Sequence, residues 1–440
     1  MKPESWPGRT RPALLYNRSV LNNIYRHYVQ PIRAFHRDAR LFLWMTVING
    51  IILSGWQLFF NIYILQSGYS REFLGLINSL PSLTGLLLGI PMGRISDRVG
   101  RKPAMIVGIV CSGLAMLGQI TFHQQVVIAV MAGLTGIFNM LLLVSLSPLM
   151  MKLSDQENRT LLFSLNYGLQ TLAGAVGSLF AGQLPALFGI LLHASQTSAI
   201  AYRWVLATNI LLGTTSLIPL WMMKEPKTSQ PTLQPEARPA SLSPNLTRLI
   251  ARLAAPNFLI GMGAAILIPY MNVFFKDRFN ISDSLLGLLF SLSALFIGVG
   301  SLIGPRLTLQ LGGKIRTVVF TQLASVVFML MVGFIPSLWI AGFSVLMRGA
   351  LMNMSAPLYS AFCMEQTPER QQGFVSSVLN IAWQIGWSVG PYLSGLVQVR
   401  YGFTPLFLAT TVLYLLAIGT TWLFFHSSEK PQSAPQVAPA

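Results

Sequence analysis

The chain has 440 residues, of which 53% are hydrophobic and only 10% charged, and its formal net charge is +17. A soluble domain carries about a quarter charged residues, so this composition excludes an ordinary soluble protein and reads as a polytopic membrane protein. Its cations stand in short clusters between apolar runs, as membrane loops are charged, and nucleic acid is not an expected partner.

Spanning the hydrocarbon takes roughly 20 mostly apolar residues as helix. Reading for that length gives twelve spans and an all-α membrane fold. The first six are Leu41–Leu65, Phe73–Ile95, Pro103–Phe122, Val126–Met151, Leu161–Leu187 and Trp204–Met223. The second six are Pro256–Phe275, Leu285–Ile303, Thr317–Ile335, Leu338–Met364, Phe374–Val399 and Pro405–Phe425. The first apolar run lacks a small-residue cleavage pattern and is expected to stay as a span. Cys111 and Cys363 both fall in apolar runs, where a lone cysteine is a small buried side chain and neither a metal ligand nor half of a disulfide. No cofactor is expected.

With twelve spans both termini share one side. Of the 30 Lys and Arg, 24 fall on that side and 5 on the other, with Arg348 left inside a span. The positive-inside rule then places both termini in the cytoplasm. Residues 1–40 read as a basic cytoplasmic arm, 41–223 and 254–425 as two six-helix bundles, and 426–440 as a disordered tail. Between the bundles, 224–253 opens with Pro226, Pro231, Pro235, Pro239 and Pro244, the composition of a mobile linker. It closes with Leu246–Leu253, expected to lie flat in the headgroup region as a short amphipathic lead-in.

The halves repeat at an offset of 212 residues. Ser70, Leu74, Gly75, Leu76, Ser79, Leu80 and Leu83 recur as Ser282, Leu286, Gly287, Leu288, Ser291, Leu292 and Leu295, and Gly100 and Lys102 as Gly312 and Lys314. Gly174, Ser178 and Gly182 in the fifth span recur as Gly386, Gly390 and Ser394 in the eleventh. One offset linking several span pairs points to two bundles related by a pseudo-two-fold axis along the membrane normal. These small residues stand at i, i+4, i+8, a spacing that lets helices pack closely.

Between the second and third spans runs Gly93-Arg94-Ile95-Ser96-Asp97-Arg98-Val99-Gly100-Arg101-Lys102. Gly93, Asp97, Arg98, Gly100, Arg101 and Lys102 match the signature loop that this chain shares, by resemblance, with the major facilitator superfamily of transporters. The resemblance implies that Asp97, with Arg101 beside it, latches the halves on the cytoplasmic side by facing the N-terminal start of the eleventh helix, whose partial positive charge favours an anion. Arg159, Glu365, Glu369 and Arg370, in the neighbouring loops, are further candidates for the same network. The alternative is that the loop only sets topology. Gly390-Pro391 resembles the family's fifth-helix antiporter motif but sits in the eleventh span, while the fifth carries Gly177-Ser178; this departs from the drug-antiporter branch.

Arg348 lies ten residues, about 15 Å, into its span, where a cation is costly unless it faces the bundle interior or water. The thirteen acidic residues all fall in loops, tails or span ends. An anionic or polar substrate group is therefore its expected partner, against a purely structural role. Asn380, Trp383, Gln384 and Trp387 share one face of the eleventh span. Asn49, Trp56, Gln57 and Asn61, Asn139, Asn166 and Gln170, and Tyr270 and Asn272 are further cavity candidates. For each of these alone an interhelical hydrogen bond competes with a ligand contact. Without an embedded acid, proton antiport lacks its usual group, and the coupling ion stays open.

The expectation is a monomeric alternating-access transporter of a small organic solute in the cytoplasmic membrane. Efflux of amphiphilic or anionic compounds is preferred, uptake of an organic acid comes second, and a non-transporting sensor of the same fold is the reading from another class. No nucleophile, base and metal-ligand set clusters in the spans, so an enzyme is not expected.

Overall fold

A computed structural model describes residues 35–155, 158–224, 244–368 and 371–427. Most of the basic arm, the proline-rich linker, Glu369, Arg370 and most of the tail lie outside these. Twelve spanning helices follow one another: α1 (Arg37–Gln66), α2 (Arg71–Val99), α3 (Arg101–Thr121), α4 (Gln125–Lys152), α5 (Arg159–Ala181), α6 (Ala199–Thr214), α7 (Pro244–Leu267), α8 (Asp283–Leu311), α9 (Lys314–Phe334), α10 (Leu338–Glu365), α11 (Gln372–Tyr401) and α12 (Thr404–Phe425). Three are broken. Short helices Leu184–Leu191 and Leu217–Met222 continue α5 and α6, and α7 runs through a 3-10 turn, Ile268–Tyr270, into Met271–Phe279. The turn holds Pro269, which has no N–H to continue an α-helical ladder.

The repeat shows in matched local chemistry. Ser70 caps α2 by accepting from the Phe73 amide, and Ser282 caps α8 by accepting from Leu285, both at 3.2 Å. Gly100 ends α2 at φ 101° and Gly312 ends α8 at φ 73°, a region that disfavours a side chain. Packing inside the halves is matched too. In the first, α1 lies on α5 and α6, and α4 on α2 and α3; in the second, α7 lies on α11 and α12, and α10 on α8 and α9.

One expectation is corrected. Leu246–Leu253 does not lie flat as a separate lead-in; it forms the first turns of α7. Leu246, Ile250 and Leu253 are buried in a cluster with Ile315, Val318, Leu358, Phe362 and Phe425. Their apolar stripe finds protein rather than headgroups, and Pro256, read as the start of the span, is buried inside the helix.

The buried core is arranged unequally along the helices. At the end away from the termini (the far end) one cluster joins both halves, from Leu58, Phe59 and Tyr202 to Phe274, Leu286 and Phe407. At the terminal end there are two separate clusters: one holds only first-half residues such as Phe42, Met105 and Leu220, the other only second-half residues. The molecule is closed at the far end and divided at the terminal end.

All twelve runs are long enough to be read as spans, and ten of the helices hold an 18-residue stretch more apolar than any in α10 or α11. These two carry Arg348 and the Asn380–Trp387 face. Helices surrounded by lipid on all sides need continuous apolarity, so their polarity marks them as interior.

Candidate functional site

Four sets of contacts join the halves at the far end. On one flank α2 meets α11: a Cβ on Gly75 would lie 2.7 Å from the Pro391 carbonyl oxygen, and the Tyr392 amide donates to Ser79 Oγ at 2.9 Å. On the other flank α5 meets α8 by the pseudo-symmetric contact, where a Cβ on Gly287 would lie 2.6 Å from the Ser178 carbonyl. Only glycine permits either approach.

Between the flanks, Asn61 of α1 and Asn272 of the α7 extension form a reciprocal clasp. Asn61 Nδ2 donates to the Pro269 carbonyl at 2.5 Å, and Asn272 Nδ2 donates to the Leu58 carbonyl at 2.8 Å. Each amide thus reaches the carbonyl three residues before its counterpart. The two also meet directly, Asn61 Nδ2 to Asn272 Oδ1 at 3.3 Å, and Asn78 Nδ2 donates to Asn61 Oδ1 at 3.0 Å. Both clasp residues are nearly inaccessible, so an unpaired amide here would be costly.

Charged groups complete the closure. Arg71 pairs with Asp277 at 2.5 Å and donates to Gln398 Oε1 at 3.2 Å. Asp283, buried in the first turn of α8, pairs with Lys276 at 2.6 Å and accepts from the Tyr202 hydroxyl of the opposite half at 3.0 Å. These pairings carry no signal in the sequence, because carboxylates at helix ends look solvated until the fold brings a tyrosine from α6 above one of them.

The signature loop sits at the divided end. Asp97 pairs with Arg101 within its own half, and Arg101 Nη1 also donates to Ser96 Oγ at 2.9 Å. Lys102 Nζ donates to the Trp221 and Met223 carbonyls at 2.8 and 2.5 Å, capping the end of the α6 extension, where the helix dipole favours a cation. Gly100 supplies the positive φ between α2 and α3, Arg98 is exposed, and Gly93 has open space around it. Across the cleft Glu365 pairs with Lys314 inside the second half. Among the described residues, the polar contacts that join the halves gather at the far end.

The expected ligand contacts divide. Arg348 is 8% exposed and points into the second bundle, its Nη2 donating to the Tyr414 hydroxyl of α12 at 3.1 Å. Its Nε and Trp387 Nε1 are buried without a hydrogen bond. Trp383 lies against Gly261 of α7 and 6.4 Å from the Trp387 ring. Asn380 and Gln384 share a helical face with Pro391, the residue that meets α2 nearer the far end. Asn380, Gln57 and Asn139 are exposed, while Asn49, Gln170 and Gln384 are half-buried.

Two of the candidates bond within the protein. Tyr270 is fully buried and spends its hydroxyl on the Pro391 carbonyl at 2.7 Å, so it belongs to the far-end closure rather than to an open wall. Asn166 accepts from Thr46 at 2.7 Å, an α1–α5 hydrogen bond. Of the small-residue ladders, Gly386 and Gly390 take the α7 backbone and Ala265 at close range, Gly174 faces Gly50, Gly182 faces Asp283 and Gly287 of the other half, and Ser394 is buried and accepts from Gln398.

Two matched six-helix bundles, locked together at one end of a central division and parted at the other, define a polytopic membrane carrier. The family model described as Major Facilitator Superfamily matches residues 42–260 and 253–440. The chain belongs to that superfamily and is a membrane transporter. Among its relatives is "Uncharacterized MFS-type transporter YhhS" of Escherichia coli (strain K12), 24% identical over 84% of this chain and 87% of that one. "Multidrug resistance protein MdtG" of Salmonella dublin is 25% identical over 41% of this chain and 45% of that protein. Among solved structures, a bacterial homolog of the human lysosomal transporter Spinster superposes with a TM-score of 0.72 at 15% identity, over 93% of this chain and 99% of that one.

Proposed function

We propose that the protein is a secondary transporter that moves a small organic solute across the cytoplasmic membrane by rocking of the two bundles, with efflux of amphiphilic or anionic compounds as its direction and cargo. The observation that carries the reading is the one-sided closure: one shared core at the far end, two separate cores at the terminal end. The positive-inside count assigns the terminal end to the cytoplasm, so this conformation is open inward. Exposed amides in the spans support a watered cleft, because an amide facing hydrocarbon is costly: Gln57, Asn139 and Asn380 line it, with Asn49, Gln170, Gln384, Trp383 and Trp387 near its walls. Multidrug-resistance relatives favour efflux. Uptake of an organic acid is the second reading, favoured by the buried guanidinium of Arg348.

Asp97 acts as the latch of the other conformation. Its pairing inside its own half fits an inward-open state, in which the start of α11 has moved away. The protein works as a monomer, with its coupling ion open. The test is dye efflux from proteoliposomes containing the purified chain. Asp97→Asn should slow flux while leaving the folded yield unchanged; wild-type flux in that variant removes the latch, and no flux by the wild type across a panel of amphiphiles favours a sensor.

A further inference from the structure

Arg348 carries a buried positive charge that no carboxylate pairs with among the described residues. It lies ten residues, about 15 Å, inside α10. A guanidinium has five N–H donors; here Nη2 reaches the Tyr414 hydroxyl, and Nε is buried with no partner. The carboxylates that form ion pairs among the described residues do so near helix ends: Asp277 with Arg71, Asp283 with Lys276, Glu365 with Lys314, Asp97 with Arg101.

Tyr414 accepts from Arg348 and so keeps its own hydroxyl proton to give. Trp387 Nε1 is buried and unpartnered. Both side chains belong to one level of the bundle. The Tyr414 ring lies where a Cβ on Gly263 would be 2.8 Å away, and Gly386, next to Trp387, meets Met262. Ser344, one turn before Arg348, has a buried hydroxyl without a partner. Gln322 Oε1, an unpartnered acceptor in this bundle, sits beside Ser355, about two turns away along α10. A fixed cation beside a hydroxyl that can still donate, with an unpartnered indole N–H at the same level of the bundle, is the chemistry that holds an oxyanion. In the first half the position 212 residues earlier is Gly136, packed tightly on the backbone of Pro81.

We propose that Arg348, Tyr414 and Trp387 form the seat for a single oxyanion of the transported solute, which makes that solute a monoanionic organic acid with a flat apolar body. The Trp383 and Trp387 rings hold the body, and Asn380 and Gln384, on the same face of α11, contact its polar substituents. The proposal rests on the transporter reading and adds the charge and class of the cargo. It also accounts for α10 and α11 being the least apolar of the twelve helices.

The test compares 2-naphthoate with its uncharged isostere 2-naphthamide on the purified full-length chain, by calorimetry and thermal unfolding. Wild type should bind the carboxylate about tenfold more tightly than the amide. Arg348→Met should bring both ligands to the affinity of the amide without lowering the unfolding temperature of the unliganded protein, since it removes a buried charge that no carboxylate among the described residues pairs with. Tyr414→Phe should lose about threefold for the carboxylate only. Should Arg348→Met not fold, Arg348→Lys, which keeps the charge and loses the Nε donor, should give an intermediate preference. A structural arginine predicts the reverse pattern: unfolding several degrees earlier with the carboxylate-to-amide ratio unchanged. That result overturns the seat, as does wild type that binds the amide as well as the carboxylate or binds neither. Amide flux in proteoliposomes separates the two readings: a protein that carries the amide without charge preference loses the seat and keeps the transport.

Discussion

Alternating access requires the far end to open, and the Asn61–Asn272 clasp is the part of that closure whose contribution can be worked out. The two amides make four hydrogen bonds across the halves, two of them from Asn272 Nδ2 to the neighbouring Gln57 and Leu58 carbonyls. Counting those two as one leaves three, at about 0.6 kcal/mol each for interhelical bonds in a membrane. Replacing both residues with alanine should therefore weaken the closed far end by about 2 kcal/mol, roughly 30-fold in the closed-to-open ratio. An outward-open state populated at about 1% would rise to about a quarter. Spin labels at Gln124→Cys and Pro336→Cys, exposed in far-end loops of opposite halves, would report it by pulsed resonance in a background of Cys111→Ser and Cys363→Ala. The distance distribution of Asn61→Ala/Asn272→Ala should gain a longer component. The single variants should sum to more than the double by about 0.6 kcal/mol, the value of the bond they share. An unchanged distribution in the double variant would show that the glycine contacts and ion pairs hold the end shut alone, and the clasp would lose its role as a gate.

Three other outcomes follow from the same geometry. Gly75→Val places methyl groups against the Pro391 carbonyl, so the far end cannot close; flux should be lost, and the label distance should lengthen even in the absence of solute. Arg71→Asp alone should shift the same equilibrium toward open by up to about 1 kcal/mol, because the pair is partly exposed, and adding Asp277→Arg should restore much of it. Lys102→Gln removes the cap on the Trp221 and Met223 carbonyls and should lower stability by about 1–2 kcal/mol, read as an earlier thermal unfolding of the purified protein. If Lys102→Gln left unfolding unchanged but slowed flux, the lysine would belong to the moving latch rather than to the packing of α6.

The spans were legible because bilayer thickness imposes a length on apolar runs, and each expected span lies within its helix except at the ragged ends. Boundaries fell short where helices run past the apolar stretch, by four residues at Arg37 and eight at Leu311. The start of α7 was missed because Pro256 looks like a helix start, and only the tertiary structure shows Leu246, Ile250 and Leu253 covered by α9, α10 and α12. The gate was half legible. Gly75 and Gly287 stood out in the repeat, yet Asn61 and Asn272 are 211 residues apart, one off the register that exposed the other pairs. In the sequence each stands alone, a cavity candidate for which an interhelical hydrogen bond competes with a ligand contact. Tyr414 carried no signal at all: a single tyrosine in an apolar helix gains meaning only when Arg348 points at it.

The two halves therefore differ in what the repeat retained. At the far end the pairs Ser70 and Ser282, Gly75 and Gly287, and Asn61 and Asn272 occupy equivalent places and make equivalent contacts. Near the middle the equivalence stops, with a buried arginine in one bundle and a packed glycine in the other. This division has a mechanical cause. A rocking motion about a pseudo-two-fold axis is balanced only if the surfaces that part and rejoin are alike on both sides, so drift in those contacts biases the equilibrium directly. A single small solute has no two-fold symmetry to match, and a second cation opposite Arg348 would leave one charge unpaired in every loaded state. The gate is under pressure to stay double and the seat to be single, which is why the repeat locates the first and is silent about the second.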